Sequence, residues 1–147
     1  MDVTLRAITH ANWRDCVGLE TTPEQVHFVA TNALSLAQAA YEPEWTPQAI
    51  YAGDEMVGFA MYGLSRLEPA YWIMRLMVDA AEQGKGYGRA AMIEIPRRLK
   101  SRPDCTEIAI SYEPENHVAR ALYLSLGFQE AGEVSYGETV ARMAVSH

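Results

Sequence analysis

Residues Gln83-Gly84-Lys85-Gly86-Tyr87-Gly88-Arg89-Ala90 place three glycines at alternate positions. Glycine has no Cβ and tolerates positive φ, so such a loop lets backbone approach a ligand closely. The apolar run Tyr71–Val78 precedes the loop, and the helix-forming segment Arg89-Ala90-Ala91-Met92-Ile93-Glu94 follows it. The order strand, glycine loop, helix start turns backbone N–H groups and the positive end of a helix toward an anion, typically a phosphate. The glycines run G-x-G-x-G, which is not the G-x-G-x-x-G of dinucleotide folds, and the acid expected on a ribose would fall near Asp104 or Glu107, at a strand start. A Walker A loop is excluded because no Gly-Lys-Ser/Thr follows. His10, His117 and His147 form no metal-ligand pattern, so metal-free chemistry is expected.

The elements that must position this loop read as a mixed α/β fold. Val3 to Ile8 predicts a strand, and Asn12 caps a helix through Leu19. Thr22-Pro23-Glu24-Gln25 has the form of a helix start, with a Thr cap, Pro at the first helical position and Gln at the third. That helix is expected to run to about Ala40, with Val26, Val29, Ala33, Leu34 and Ala37 on its apolar face. The prolines of Tyr41 to Pro47 predict a loop. Ala49–Ala52 and Met56–Tyr62 predict a hairpin across Gly53-Asp54-Glu55. Tyr71–Val78, apolar on both faces except for Arg75, predicts a buried central strand, and Arg75 there needs an acidic or phosphate partner. The helix after the loop is expected to reach roughly Lys100, kinked or interrupted by Pro96. Glu107–Tyr112 predicts a further strand. Asn116 caps a helix from His117 to Leu126, with Gly127 as its stop. Glu130–Tyr136 and Thr139–Val145 predict a closing hairpin around Gly137.

The chain has 147 residues and reads as one domain over 1–147. Nearly half of the residues are hydrophobic, which predicts a globular protein. The net charge of −7 argues against non-specific nucleic-acid binding and is compatible with a cationic substrate. No apolar run approaches the ~20 residues that span a bilayer, and the N-terminus has no apolar signal core. The two cysteines make no disulfide framework. A cytoplasmic protein with no membrane or nucleic-acid partner is expected.

The arrangement resembles the GNAT family of acetyl-coenzyme A-dependent N-acetyltransferases. Their signature Arg/Gln-x-x-Gly-x-Gly/Ala appears as Gln83-Gly84-Lys85-Gly86-Tyr87-Gly88. A second motif, an Asn with a Tyr seven residues later, appears as Asn116 and Tyr123, and Leu126-Gly127-Phe128 is similar to the family's usual ending. Within the family, Tyr51 to Gly63 and Gly127 to Val134 are most similar to the bacterial spermidine/spermine acetyltransferases. The resemblance implies a central, mostly antiparallel sheet flanked by helices, and a possible homodimer.

It also implies the site. Acetyl-CoA would lie along Leu76, Met77 and Val78, with backbone of Leu76 and Val78 on the pantetheine amides as an added strand would be. Gln83, Gly84, Lys85, Gly86, Tyr87, Gly88 and Arg89 would hold the pyrophosphate, and Asn116 would combine cap and cofactor contact. Tyr123 would protonate the leaving thiolate, with a phenol pKa near ~10. Some polyamine acetyltransferases carry an acid on the central strand where this chain has Met74, which cannot take a proton. Either another acid would reach the amine through water, with Glu20, Glu24, Glu42 and Glu44 the candidates by location in the family's acceptor region, or the amine would lose its proton before docking. Glu20, Glu24, His27, Phe28, Tyr41, Trp45 and Trp72 are the expected acceptor-side residues, since carboxylates mixed with aromatics suit an extended polycation. Other small amines, aminoglycosides and peptide amines are alternative acceptors. A coenzyme A-binding sensor without catalysis is a third reading, favoured by Met74 and opposed by Tyr123.

Overall fold

The computed structural model describes residues 2–26 and 28–147. The strands are β1 (Thr4–Ala7), β2 (Trp45–Ala52), β3 (Glu55–Leu64), β4 (Tyr71–Val78), β5 (Glu107–Tyr112), β6 (Gln129–Ser135) and β7 (Glu138–Ala144). The helices are α1 (Trp13–Gly18), α2 (Asn32–Tyr41), α3 (Tyr87–Lys100) and α4 (His117–Ser125). The strands form one sheet in the order β1-β2-β3-β4-β5-β7-β6, with β4 in the centre. Every pairing is antiparallel except β4 with β5.

The sheet buries a cluster on each face, as alternation along its strands requires. Val57, Ala60 and Tyr62 of β3 turn toward α3 and α4 and pack with Ile95, Leu99 and Phe128. Phe59 and Met61, between them in sequence, turn the other way and pack with Cys16, Trp45 and Met77, beneath Leu36 and Ala39 of α2.

Three expectations change. The helix expected from Thr22 to about Ala40 is a turn at Pro23–Val26 followed by α2, which starts only at Asn32. Extended backbone at Thr31 breaks it, and the Thr31 hydroxyl caps α2 by accepting the Leu34 N–H at 3.2 Å. The true inner face carries polar groups: buried Asn32 donates to the Cys16 carbonyl at 2.9 Å, and buried Ser35 donates to the Thr31 carbonyl at 3.2 Å. Leu34, assigned to the apolar face, is 58% exposed. Pro96 does not interrupt α3, which runs through it with Pro96 buried. The Tyr41–Pro47 loop is shorter than expected, because Tyr41 ends α2 and Trp45 already begins β2. Pro47 is accommodated there because β1 ends at Ala7 opposite Gln48, so no β1 residue pairs with it.

Candidate functional site

β4 and β5 pair through three positions, the last being Ile73 opposite Ile110. β3 stays beside β4 as far as Gly58 opposite Val78. The Asp79 N–H donates to the Val57 carbonyl at 2.8 Å, which makes Gly58–Val78 and Ala60–Leu76 the non-bonded pairs of that ladder. Leu76 and Val78 therefore turn their N–H and C=O groups away from β3, into the wedge that β5 has left. Glycine at position 58 permits this closeness: a Cβ there would sit 2.5 Å from the Met77 carbonyl oxygen. Met77 turns its side chain into the second cluster.

At the head of the wedge β4 carries a bulge. Met61 and Tyr62 face Arg75 and Ile73, which leaves Met74 as the extra residue. Met74 packs on the α2 side. Arg75 lies opposite Met61 of that same face and donates to Gln38 of α2 at 3.1 Å and to the Met74 carbonyl at 2.9 Å. Its Nε is buried without a partner, and among the described residues it forms no ion pair. Of the acidic or phosphate partner expected from sequence, no acid is in contact among the described residues. Burial lowers the Arg75 pKa, with the charges of Glu138 and Glu42 opposing.

The glycine loop starts where β4 ends. Gly84 and Gly86 take φ of 82° and 86°, the left-handed region where a side chain is strained. Gly86 is the N-cap of α3, and no side chain caps that end. A Cβ at Gly84 or Gly86 would meet nothing within 4 Å. Open space and uncapped N–H groups at the positive end of a helix fit a phosphate ester. Gln83 ties the loop down, donating to the Val78 carbonyl at 3.0 Å and to Gln25 at 2.7 Å. Lys85 pairs with Glu82 at 3.1 Å. Arg89 donates to Ser125 at 3.0 Å, joining α3 to α4.

Asn116 caps α4 through the Ala119 N–H at 3.2 Å. One face of α4 then brings Tyr123 beneath the wedge, 7% exposed, its ring 5.5 Å from Tyr112 and 6.3 Å from Phe128. Burial first, and the charge of Glu138 second, push the Tyr123 phenol up to about 12. It is protonated at neutral pH and can act only as a proton donor there.

These parts share one cavity of about 220 Å³, lined by Leu76 and Val78, by Gly84, Gly86 and Gly88, and by Asn116 and Tyr123. Two motifs far apart in sequence thus converge on one space. Residues 5–128 match the acetyltransferase (GNAT) family. The chain belongs to that family.

This acetyltransferase is 29% identical over 150 residues to the spermine/spermidine N(1)-acetyltransferase of Bacillus subtilis (strain 168), covering 95% of this chain and 97% of that one. It is 32% identical over 139 residues to the N-alpha-acetyltransferase RimI of Mycobacterium tuberculosis, covering 88% and 80%. Its fold matches AAC(6')-Ib in complex with paromomycin and acetyl-CoA with a TM-score of 0.83 at 20% identity, covering 98% and 94%.

The expected acceptor-side residues of the acetyltransferase do not form one group. The segment after α1 is latched to the end of β4: the Glu20 N–H donates to Asp79 at 2.9 Å, and the Glu20 carbonyl accepts from Ala80 at 2.7 Å. That latch lays Phe28 against the cavity. The Glu20 and Glu24 residues themselves are exposed, and His27 lies outside the described residues. Tyr41 is 88% exposed. Trp45 is a core residue outside the cavity lining: it opens β2 inside the second cluster and donates its indole N–H to Glu42 at 3.1 Å. Trp72 is half-buried under the Arg142 guanidinium, 5.4 Å from its ring. Sequence reading missed Thr21, Gln25 and Val29, which line the cavity; it also gave no sign of the Ser111–Glu138 pair, joined at 2.7 Å where β5 parts from β4 and outside the cavity lining. Residue spacing carries no signal for that pair, since it exists only because β7 lies beside β5.

Proposed function

We propose that this acetyltransferase binds acetyl-CoA in the β4–α3–α4 cavity and acetylates a primary amine, with a polyamine such as spermidine or spermine as the leading acceptor. The observation that carries the reading is the convergence of an unpaired β4 edge, an uncapped helix N-terminus and a buried, protonated phenol on one space. The edge of Leu76 and Val78 suits the two amides of a pantetheine arm. The N–H groups from Gly84 to Arg89 suit the pyrophosphate. Tyr123 donates its proton to the departing sulfur. A polyamine is supported by the full-length relative that acts on spermine and spermidine, and by the net charge of −7.

One observation favours a second acceptor class. The Arg75 guanidinium faces the α2 side of the wedge without a carboxylate in contact. A buried cation of this kind is stabilised by an anion, which suits an amine that also carries a carboxylate, such as an amino acid or peptide.

Free-thiol release from acetyl-CoA over polyamines, aminoglycosides, amino acids and peptides decides between them. The expected order places spermidine and spermine first in kcat/KM. Turnover confined to carboxylate-bearing amines overturns the polyamine assignment in favour of Arg75. Coenzyme binding without turnover on any amine overturns the enzymatic reading of the site.

A further inference from the structure

The bulge at Met74 leaves a thioether on the β4 side of the wedge, where no proton can be taken up. The other side of the wedge is differently equipped. Ser111 is the first β5 residue beyond the last β4–β5 pair, Ile73–Ile110. Its hydroxyl donates to Glu138 Oε1 at 2.7 Å. The register explains the reach: Ser111 lies opposite Val140, so Glu138, two residues away on the same face of β7, stands diagonal to it. That face is the α2 side, because Arg142, two further residues along, covers Trp72 of the second cluster. Glu138 is half-buried and keeps a path to water.

We propose that Glu138, oriented by Ser111, is the carboxylate that receives the acceptor's ammonium and takes its proton, the role that Met74 cannot fill. This rests on the reading of the chain as an amine acetyltransferase. The ammonium docks against Glu138 and passes it one proton, which leaves to water. The freed lone pair forms the N–C bond to the acetyl carbon, the C–S bond breaks, and its electron pair stays on sulfur. Sulfur takes the Tyr123 proton, and the second proton shed by nitrogen restores the phenol. Nitrogen thus loses two protons, one ending on sulfur and one in solvent. The groups around Glu138 are Ser111 from β5, Tyr123 from α4 and Arg75 from β4, with Glu42 of α2 beyond Arg75. Arg142 on its own strand is engaged by Glu68, Glu107 and Glu133.

Glu138→Gln keeps an oxygen that can accept from Ser111, so the fold is retained. With the parent's best amine, kcat/KM should fall about 10²-fold near neutral pH, the scale of general-base catalysis. The deficit should shrink as pH rises toward the amine's own pKa near ~10.4, where free amine needs no base. Calorimetric affinity for coenzyme A and the thermal midpoint should match the parent. Glu138→Asp should recover part of the rate. Parent-like kcat/KM in Glu138→Gln would overturn the proposal, as would a deficit independent of pH or one accompanied by weaker coenzyme binding. A parent that turns over no amine would instead overturn the acetyltransferase reading of the site.

Discussion

Tyr123 is the residue whose chemistry and surroundings agree most closely. Its ring is packed between Tyr112 and Phe128, and that packing keeps the phenol protonated across the physiological range. We expect Tyr123→Phe to lower kcat by about 10²-fold where chemistry limits the rate, with coenzyme affinity unchanged in calorimetry. Equal kcat in variant and parent would remove Tyr123 as the acid. The same raised pKa has a stability consequence. A phenol that ionises at about 12 when folded and at 10.0 when unfolded binds more protons in the fold between those values. Its contribution is therefore fully present below pH 10 and lost as pH rises to about 12. Cys16, raised by burial from 9.0 to about 11, loses its own part across that lower window. Denaturation midpoints should fall less steeply above pH 10 in Tyr123→Phe than in the parent. The place of Tyr123 in the cavity was legible from sequence because it stands at a fixed offset from Asn116. The Ser111–Glu138 contact was not, because it depends on which strand lies next to which.

Among the elements, the strand–loop–helix unit is where the proposed coenzyme site rests. The two glycines of the signature, Gly86 and Gly88, do different work. Gly86 needs the left-handed region, whereas Gly88 does not, and a Cβ at Gly88 would meet Val78 at an ordinary 3.7 Å. Gly86→Ala should destabilise the protein by about 1–2 kcal/mol and weaken coenzyme binding, while Gly88→Ala should leave both nearly unchanged. Thermal midpoints and calorimetry on the two variants test this, and equal behaviour of the pair would contradict the loop assignment. Local signals sufficed for β3, β4, β5, α4 and the β6–β7 hairpin, because each has its own period and its own turn or cap. They failed at α2. There the buried stripe is Asn32 and Ser35 as much as Leu36 and Ala39, so apolar periodicity selected the wrong phase. The Gln25–Gln83 bond and the latch of Glu20 to β4 hold the preceding segment out of helix, and neither long-range contact has a local signature.

At the scale of the whole molecule, the site is a consequence of sheet topology. A parallel pair that separates after Ile73 leaves a wedge in the middle of a seven-stranded sheet. β3 pairs with β4 along the wedge as far as Val78, α3 and α4 close the wedge from one face, and α2 borders it from the other. The family's motifs both line the cavity, which is why its lining was largely readable from sequence. The proposed acceptor side draws on β4, β5, β7 and α2 and has no contiguous motif, so residue spacing gives no pointer to Glu138. The most direct test of the central claim is amide hydrogen exchange with and without bound acetyl-CoA. Leu76, Val78 and the amides of residues 84–89 should exchange markedly more slowly in the complex, because these are the groups held to bind the pantetheine arm and the pyrophosphate. Saturating acetyl-CoA that leaves those amides unprotected, or protects a different surface, would contradict the account.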